Sequence, residues 1–450
     1  MMAATSAVAA VPRAPGRIPL IGHVLPLIRR PLDFMQSLRH TGDFVRVDVG
    51  ALPIYFVNSA ELTHELLVTK ARHFDKGRFF VRARILVGDS LPTAPSHIHK
   101  RHRRLMQPSF HHAKIAGYAA TMATRARAMA DAWTDGQTVQ VDQELAEFSV
   151  GTLAETMFSA DISRPAAEAV RIDVPILLRY ALLRAVTPRL LDRIPVPANW
   201  RFDRAAKRLR TVIDDVIAAS HKEGDVDYND LLSMLLNARD ADTGETLTDQ
   251  EIRDELVAIM FAGTETTAST LAWTFHELAK APEVEKKLLA EIDRVAPDGN
   301  VAFDDVPKLT YTRQVIDEIG RMHSVPLLMR RVTKPVELAG HRLEEGTEVA
   351  FSLYSLHRDE RLYDDPHTFD PDRWLPERRE GRPREGYVPF GAGNRKCIGD
   401  GFALTEIAIA MATVLSRWRF EPLPGQSVRE VASAVAHPDK LPMRVVSRRK

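Results

Sequence analysis

The feature that most limits how this chain can fold is a helix-like stretch of about 30 residues, 248–281. Thr248, with Glu251 three residues later, forms a capping-box sequence, and Pro282 limits the far end. At 1.5 Å per residue the helix would be roughly 45 Å long. Apolar residues follow a helical stripe and also lie off it, a pattern typical of a buried helix. The sequence therefore predicts a helix through the centre of the molecule.

The middle of this predicted helix has an unfavourable composition. Residues 262–270 read "AGTETTAST", and both glycine and threonine are poor helix formers. Threonine hydroxyls can bond to carbonyl groups one turn earlier and bend the axis. Glu265 adds a carboxylate in a place where charge is costly. Two interpretations stay open: a packing kink with Glu265 paired to a base, or a functional site.

Helical patterns also dominate elsewhere in the chain. They cover residues 115–133, 201–221, 231–238 and 284–295. Strand-like runs are short, and they read "FVRVDVG", "PIYFVN", "PVELAG" and "TEVAFSLY". We predict a mainly α protein with small β-sheets. Its organisation is predicted as a flexible N-terminal tail, residues 1–15, followed by a single catalytic domain, residues 16–450.

Composition excludes several classes of protein. Lys and Arg number 61 against 60 Asp and Glu, which argues against a nucleic-acid binder. A single cysteine cannot form an internal disulfide, so nothing indicates secretion. The apolar run near the N-terminus is too short for a signal peptide or a membrane span. We therefore expect a cytoplasmic protein without a membrane anchor.

The only cysteine, Cys397, lies in "PFGAGNRKCIGD", residues 389–400. A lone cysteine can be a buried thiol, a nucleophile with a histidine partner, or a metal ligand. A structural zinc site needs several close ligands, whereas a haem iron needs one protein ligand on one face. Glycines in this loop would let the backbone approach a large flat group. Arg395, Lys396 and the start of a following helix would favour a thiolate.

These residues resemble a known family. "FGAGNRKCIG" matches F-x-x-G-x-R-x-C-x-G, the pattern of the cytochrome P450 haem-thiolate monooxygenases. The resemblance implies the mainly α cytochrome P450 fold and a haem b cofactor (iron protoporphyrin IX). It makes Cys397 the axial iron ligand, a cysteine ligation known to favour O–O cleavage. Phe390 would screen the sulfur from water, and Arg395 would add positive charge beside the cofactor.

Further motifs occur in the family's order. "AGTETT" is similar to its oxygen-activation segment, which implies that Glu265 and Thr266 deliver protons. "EIGR" and "FDPDRW" resemble segments that supply Glu318, Arg321 and Arg373 to a buried structural network. By the same resemblance, two basic segments contact haem propionates. They contribute His99 and Arg103 from "HKRHRRLMQPSF", and Arg330, with Arg331 as second choice, from "PLLMRRV".

The resemblance also implies an activity: insertion of one oxygen atom of O2 into a C–H bond of a lipophilic small molecule. Electrons from NAD(P)H would arrive through a separate ferredoxin and ferredoxin reductase. Substrate would contact residues 79–85, 259–263 and 327–328. "FDPDRWLPER" and the basic segment resemble actinobacterial terpenoid oxidases such as pentalenene oxygenases. The alternatives are a haem-thiolate peroxygenase and a non-catalytic haem protein that binds a gas.

Overall fold

The structure is a computed structural model of the chain. It describes residues 10–158, 168–170, 172–174, 176–177, 180, 196–223 and 230–448. In chain order its α-helices are α1 (Val24–Arg29), α2 (Pro31–Ser37), α3 (Ala60–His64), α4 (Arg78–Val87), α5 (Ser96–Met106), α6 (His112–Asp131), α7 (Val141–Met157), α8 (Pro197–Glu223), α9 (Leu231–Asn237), α10 (Asp249–Leu278), α11 (Pro282–Val295), α12 (Thr310–Met322), α13 (Leu353–Leu356), α14 (Pro376–Arg379) and α15 (Asp400–Leu415).

The strands are short. They are β1 (Phe44–Val49), β2 (Leu52–Val57), β3 (Phe74–Lys76), β4 (Thr138–Gln140), β5 (Leu328–Val332), β6 (Val336–Leu338), β7 (His341–Leu343), β8 (Glu348–Phe351), β9 (Trp418–Pro422), β10 (Glu430–Ala432), β11 (Ala436–Pro438) and β12 (Pro442–Ser447). The described chain divides into two compact units, which we call unit 1 and unit 2.

Unit 1 comprises Met1–Val81, Ser324–Thr368 and Glu380–Cys397. Its main element is a five-stranded sheet with the order β1-β2-β8-β5-β3, in which β2 and β8 are parallel. A second, two-stranded sheet pairs β6 with β7. Apolar side chains from these strands and from α3 form one buried cluster. Burial of this surface is the main source of the unit's stability.

Unit 2 comprises Arg82–His323, Phe369–Arg379 and Ile398–Lys450. It is mostly helical, with α10 packed against α7, α8, α12 and α15. A three-stranded sheet has the order β4-β12-β9, and β10 pairs with β11 in a hairpin that lies against α10. The large apolar core of the unit surrounds α10. A helix in that position must be apolar on nearly every side, as the sequence indicated.

The long helix confirms the central prediction from the sequence. Thr248 caps α10, its hydroxyl accepting from the Glu251 N–H, while the Glu251 carboxylate accepts from the Thr248 N–H, 2.9 Å away. The helix ends at Leu278, three residues short of the predicted limit. It is continuous α-helix through residues 262–270, where the Thr264 and Thr266 hydroxyls donate to the carbonyl oxygens four residues earlier.

The other predicted helices and strands are present with small shifts of their ends, which confirms a mainly α fold with small sheets. Residues 1–9 of the predicted tail lie outside the described residues. Over residues 10–15, Pro12 and Ala14 exchange backbone hydrogen bonds with Arg46 of β1. The predicted organisation as a tail and one catalytic domain stays a prediction.

Candidate active site

The cysteine loop belongs to unit 1 and is closed by a backbone hydrogen bond. The Cys397 N–H donates to the Phe390 carbonyl oxygen, 2.9 Å away, and the Cys397 side chain is exposed. Gly391 and Gly393 both lie in the left-handed region, at φ 73° and 68°, where residues with a Cβ are rarely found. The loop therefore presents its thiol on a fixed backbone rather than burying it as a small apolar group.

The two glycines meet different surroundings within the protein. A Cβ on Gly393 would overlap the Leu67 carbonyl oxygen, so this glycine lets the loop approach the chain of its own unit. No atom of the described residues lies within 4 Å of a Cβ built at Gly391, where the left-handed backbone conformation favours glycine.

A group of cations lies in the same unit. Lys76, Arg330 and Arg395 are close enough to affect one another, and one carboxylate, Asp75, accompanies them. Arg395 Nη2 lies 2.7 Å from Asp75 Oδ1, and Arg330 Nη1 donates to the Met329 carbonyl oxygen at 3.0 Å. We call these three basic side chains the cation cluster.

The cation cluster carries a net positive charge in a poorly solvated place. Burial and the charge of Arg395 lower the pKa of Arg330 to about 10. Burial, with the charges of Arg330 and Arg395, holds the pKa of Lys76 well below its usual range. Both shifts mean that an anion beside these groups would be stabilising. Lys76 was not predicted, because nothing in "FDKGRFF" shows that β3 pairs with β5 and so brings it to Arg330.

In unit 2, α5 carries the predicted residues His99 and Arg103. They are four residues apart and therefore share a face of the helix. His99 is buried, and Arg103 Nε donates to Gln107 Oε1 at 2.9 Å. Other side chains of α5 bond to α10. His102 Nδ1 lies 2.7 Å from Glu255 Oε1, and although burial lowers the pKa of His102, Glu255 and Glu251 raise it overall.

Two further arginines of α5 form ion pairs within the chain. Arg101 pairs with Glu251, and Arg104 pairs with Asp240 and Asp242. These pairs lower the net positive charge available to an acidic protein partner.

The centre of α10 holds Glu265 and Thr266. The Thr266 hydroxyl donates to the Ala262 carbonyl oxygen at 2.7 Å, which leaves its oxygen able to accept a hydrogen bond. One carboxylate oxygen of Glu265 accepts from the Ser433 hydroxyl, and the other is buried without a hydrogen bond from any described residue. Burial raises the pKa of Glu265, opposed by the Ser433 hydrogen bond and the charge of His437. The packing interpretation required Glu265 to be paired to a base. Among the described residues no base forms a hydrogen bond with it.

Sequence reasoning missed a second buried acid, Glu406 of α15, nine residues after Cys397. Its side chain has no exposed surface, and burial raises its pKa to about 8. Thr152 and Thr267 lie beside it, but the Thr152 hydroxyl donates its proton to the Phe148 carbonyl oxygen at 2.9 Å. The signal was present in the sequence as one glutamate in the apolar run "FALTEIAIAMATVL".

The predicted structural network is present in unit 2. Glu318 accepts from both Nε and Nη2 of Arg321, at 2.9 and 2.8 Å. Arg373 Nε lies 3.3 Å from Glu318 Oε1, and Trp374 Nε1 donates to Glu318 Oε2 at 3.0 Å. All four side chains are buried. The tryptophan was not predicted.

The chain is similar in sequence to known proteins over nearly its whole length. A family model described as Cytochrome P450 matches residues 12–443. The chain belongs to the cytochrome P450 family. It is 41% identical over 432 residues to cyclooctat-9-en-7-ol 5-monooxygenase of Streptomyces melanosporofaciens, covering 96% of this chain and 94% of that protein. It is 40% identical over 438 residues to pentalenene oxygenase of Streptomyces avermitilis, covering 97% of each.

A solved structure agrees with this assignment. The crystal structure of the cytochrome P450DA heme domain is 26% identical and superposes with a TM-score of 0.87, covering 98% of both chains. The predictions of the cytochrome P450 fold and of an enzyme of the P450 monooxygenase family are therefore confirmed. The family implies a haem cofactor. Within the described residues, no helix is both long and apolar enough to cross a bilayer.

The side chains present fit a haem. A thiol held on a fixed loop is a suitable iron ligand, and the net positive charge of the cation cluster suits carboxylate groups such as the two propionates. Each predicted site residue has a place in one unit. Arg330, Phe390, Arg395 and Cys397 lie in unit 1, and His99, Arg103, Glu265 and Thr266 lie in unit 2. Their assignment to the cofactor or to catalysis stays a prediction.

Proposed function

We propose that this chain is a haem-thiolate monooxygenase that oxidises a terpenoid in secondary metabolism. The observation that supports it best is the state of Glu265: a partly buried acid with a raised pKa, next to a threonine hydroxyl, inside the longest helix. Such an arrangement lowers stability, and groups whose pKa is strongly perturbed cluster at functional sites. When bound, haem b would supply the activation of O2 and the insertion of one oxygen atom into a C–H bond.

The roles we propose for the residues follow from their chemistry. Cys397 ligates the iron as a thiolate, and Phe390 shields its sulfur. Arg330, Arg395, His99 and Arg103 bind propionates. Lys76 joins this set because its pKa would recover beside an anion.

Glu265 and Thr266 are proposed to transfer protons. A carboxyl group whose pKa is raised by burial takes up a proton more readily than an exposed one and can pass it on to a hydrogen-bond acceptor. The Thr266 hydroxyl can accept a hydrogen bond while its own proton points to Ala262. Together the two groups can hold a proton or a water near the reacting centre and limit wasteful release of peroxide.

The substrate class rests on the relatives. Two proteins about 40% identical over nearly the whole chain are named for oxidations of cyclooctat-9-en-7-ol and pentalenene. We therefore propose a cyclic terpene or terpene alcohol as substrate. A ferredoxin and its NAD(P)H-dependent reductase are proposed as electron donors, and a cytoplasmic location is proposed with them.

The reduced carbon monoxide spectrum of the purified haem protein tests the iron ligand. Wild type should show the Soret position of a thiolate-ligated haem, and Cys397→Ser should lose it while Asn394→Ala, in the same loop, keeps it. Turnover then tests the activity, with a panel of cyclic terpenes, NADPH and a surrogate ferredoxin system. Product from peroxide alone would instead favour a peroxygenase. Ligand binding without turnover by any donor would favour a gas-binding protein.

A further inference from the structure

The hairpin of β10 and β11 touches the proposed proton-transfer residue. Its turn, residues 433–435, brings the Ser433 hydroxyl to Glu265 Oε1, and the two residues are 168 positions apart in the chain. The same hydroxyl lies 3.2 Å from the Val435 carbonyl oxygen. Both contacts are within unit 2.

The hairpin is fixed to the rest of the unit by contacts that do not involve Ser433. Trp273 Nε1 donates to the Ala436 carbonyl oxygen at 2.8 Å, and His323 Nδ1 lies 2.6 Å from Glu430 Oε1. The Trp273 and His323 rings stack, with centroids 4.0 Å apart and planes at 6°. The hairpin is therefore held on α10 and on His323, the residue after α12, and the serine at its turn is not required to keep it there.

A serine hydroxyl has one proton and can donate to one acceptor at a time. When Glu265 is ionised, the hydroxyl can donate to Oε1. When Glu265 is protonated, its own O–H can donate to the serine oxygen, and the serine proton can turn to the Val435 carbonyl. Each arrangement keeps a hydrogen bond between Ser433 and Glu265, so Ser433 suits both protonation states of the acid.

We propose that Ser433 is a positioning residue that holds the Glu265 carboxyl group in place while it takes up and releases a proton, by rotating its hydroxyl between Glu265 and Val435. This inference rests on the proposed function of Glu265. His437 of β11 is the titratable group beside the carboxyl, and the buried Glu406 of α15 lies beside Thr267, which is two residues after Glu265 on α10.

If Ser433 has this role, removal of its hydroxyl should impair proton transfer by Glu265. Without the hydroxyl, Glu265 keeps no hydrogen bond from a described side chain, because its Oε2 already has none. A buried carboxyl in that condition would be more difficult to ionise and less well oriented. Reducing equivalents would then be lost as peroxide more often.

The test uses haem-loaded protein with Ser433→Ala, Ser433→Thr and Glu430→Ala. For Ser433→Ala we expect product per NADPH to fall about fivefold, the effect of one lost hydrogen bond on a rate. The substrate KM should stay within about twofold, and the pH midpoint of coupling should move to higher pH because the hydroxyl lowers the pKa of Glu265. Ser433→Thr keeps a hydroxyl and should restore coupling. Glu430→Ala loosens the same hairpin elsewhere and should leave the midpoint unchanged.

A spectroscopic measurement gives an answer that does not depend on turnover. Infrared spectra recorded across a pH titration should contain a protonated-carboxyl band that Glu265→Gln removes. Ser433→Ala should shift both its frequency and its midpoint, and Ser433→Thr should return them to the wild-type values.

The outcomes separate this inference from the proposed function. If wild type turns over no substrate, the proposed function fails, while the infrared titration still reports on the contact. If wild type turns over substrate and Ser433→Ala shows the same coupling and the same pH midpoint as wild type, the positioning role is wrong. The role is also wrong if Glu430→Ala reproduces the changes, since these would then come from a loosened hairpin.

Discussion

Arg321 and Glu318 form a bidentate ion pair in which neither side chain has any exposed surface. They are one helical turn apart on α12, and Glu318 also accepts hydrogen bonds from Arg373, Trp374 and the Asp370 N–H. A buried carboxylate needs this number of donors to offset the loss of water. The ion pair thus fixes the 370–374 segment to the helix.

Removal of one partner from this pair should be strongly destabilising. Arg321→Ala leaves a buried carboxylate short of its main donor, and we expect a loss of about 3–5 kcal/mol in the free energy of unfolding. Denaturant titration of the haem-loaded protein measures it. Arg313 on the same helix pairs with Asp317 at 3.0 Å but is about half exposed, so Arg313→Ala should cost less than about 1 kcal/mol. Equal losses in the two variants would contradict a special role for the buried pair.

Neighbouring arginines on β5 should differ in their effect on the cofactor. Arg330 is buried in the cation cluster, whereas the Arg331 side chain is 43% exposed and lies 3.6 Å from Glu348. Loss of a charge-assisted bond to a propionate should make Arg330→Leu release haem at least about tenfold faster. Arg331→Leu should stay within about twofold of wild type. Transfer of haem to excess apomyoglobin measures both rates, and a reversed order would move the propionate contact to Arg331.

Two threonines on α10 provide a matched test of proton transfer. Thr266 and Thr270 are one turn apart, and each donates its hydroxyl proton to a carbonyl four residues earlier, at 2.7 and 2.9 Å. Only Thr266 is adjacent to Glu265. We expect Thr266→Ala to keep its haem, consume NADPH, and lower productive turnover by about tenfold or more, with peroxide as the balance. Thr270→Ala should remain coupled. If both variants were uncoupled, the cause would be a distorted helix and not the loss of a proton-transfer group at Thr266.

The sequence was most informative where structure is set by near neighbours. The capping box at Thr248 and Glu251 involves residues three apart, so the start of α10 could be predicted from local chemistry. Alternation of apolar residues likewise located β1 and β2. The Glu318 network came from a family pattern, since spacing alone does not distinguish a buried pair from a surface one.

Contacts between distant segments could not be predicted. Ser433 meets Glu265, Gly393 approaches Leu67, and Lys76 comes near Arg330 only because of how the strands and helices pack. Each partner is ordinary in its own sequence context, and burial decides its chemistry. This is why the acid was found from the sequence, while the serine that bonds to it was not.

Glu406 should make stability fall as pH rises. Its pKa is about 8 in the folded protein against an ordinary value of 4.5, so the folded state binds more protons than the unfolded state between these pH values. The contribution of Glu406 to the free energy of unfolding is therefore fully present below pH 4.5. It is lost as pH rises towards 8 and does not change further above that pH. By pH 7 the loss should be on the order of 3 kcal/mol.

Glu406→Gln removes the ionisation but keeps the shape of the side chain. We expect this variant to match wild type near pH 5 and to exceed its free energy of unfolding by pH 8, measured by denaturant titration at each pH. Glu421→Gln, at an exposed glutamate of β9, is the control and should follow wild type throughout. A difference between Glu406→Gln and wild type that stays constant from pH 5 to pH 8 would mean that Glu406 does not titrate in this range, and that its carboxyl group is stabilised in one form by contacts other than Thr152 and Thr267.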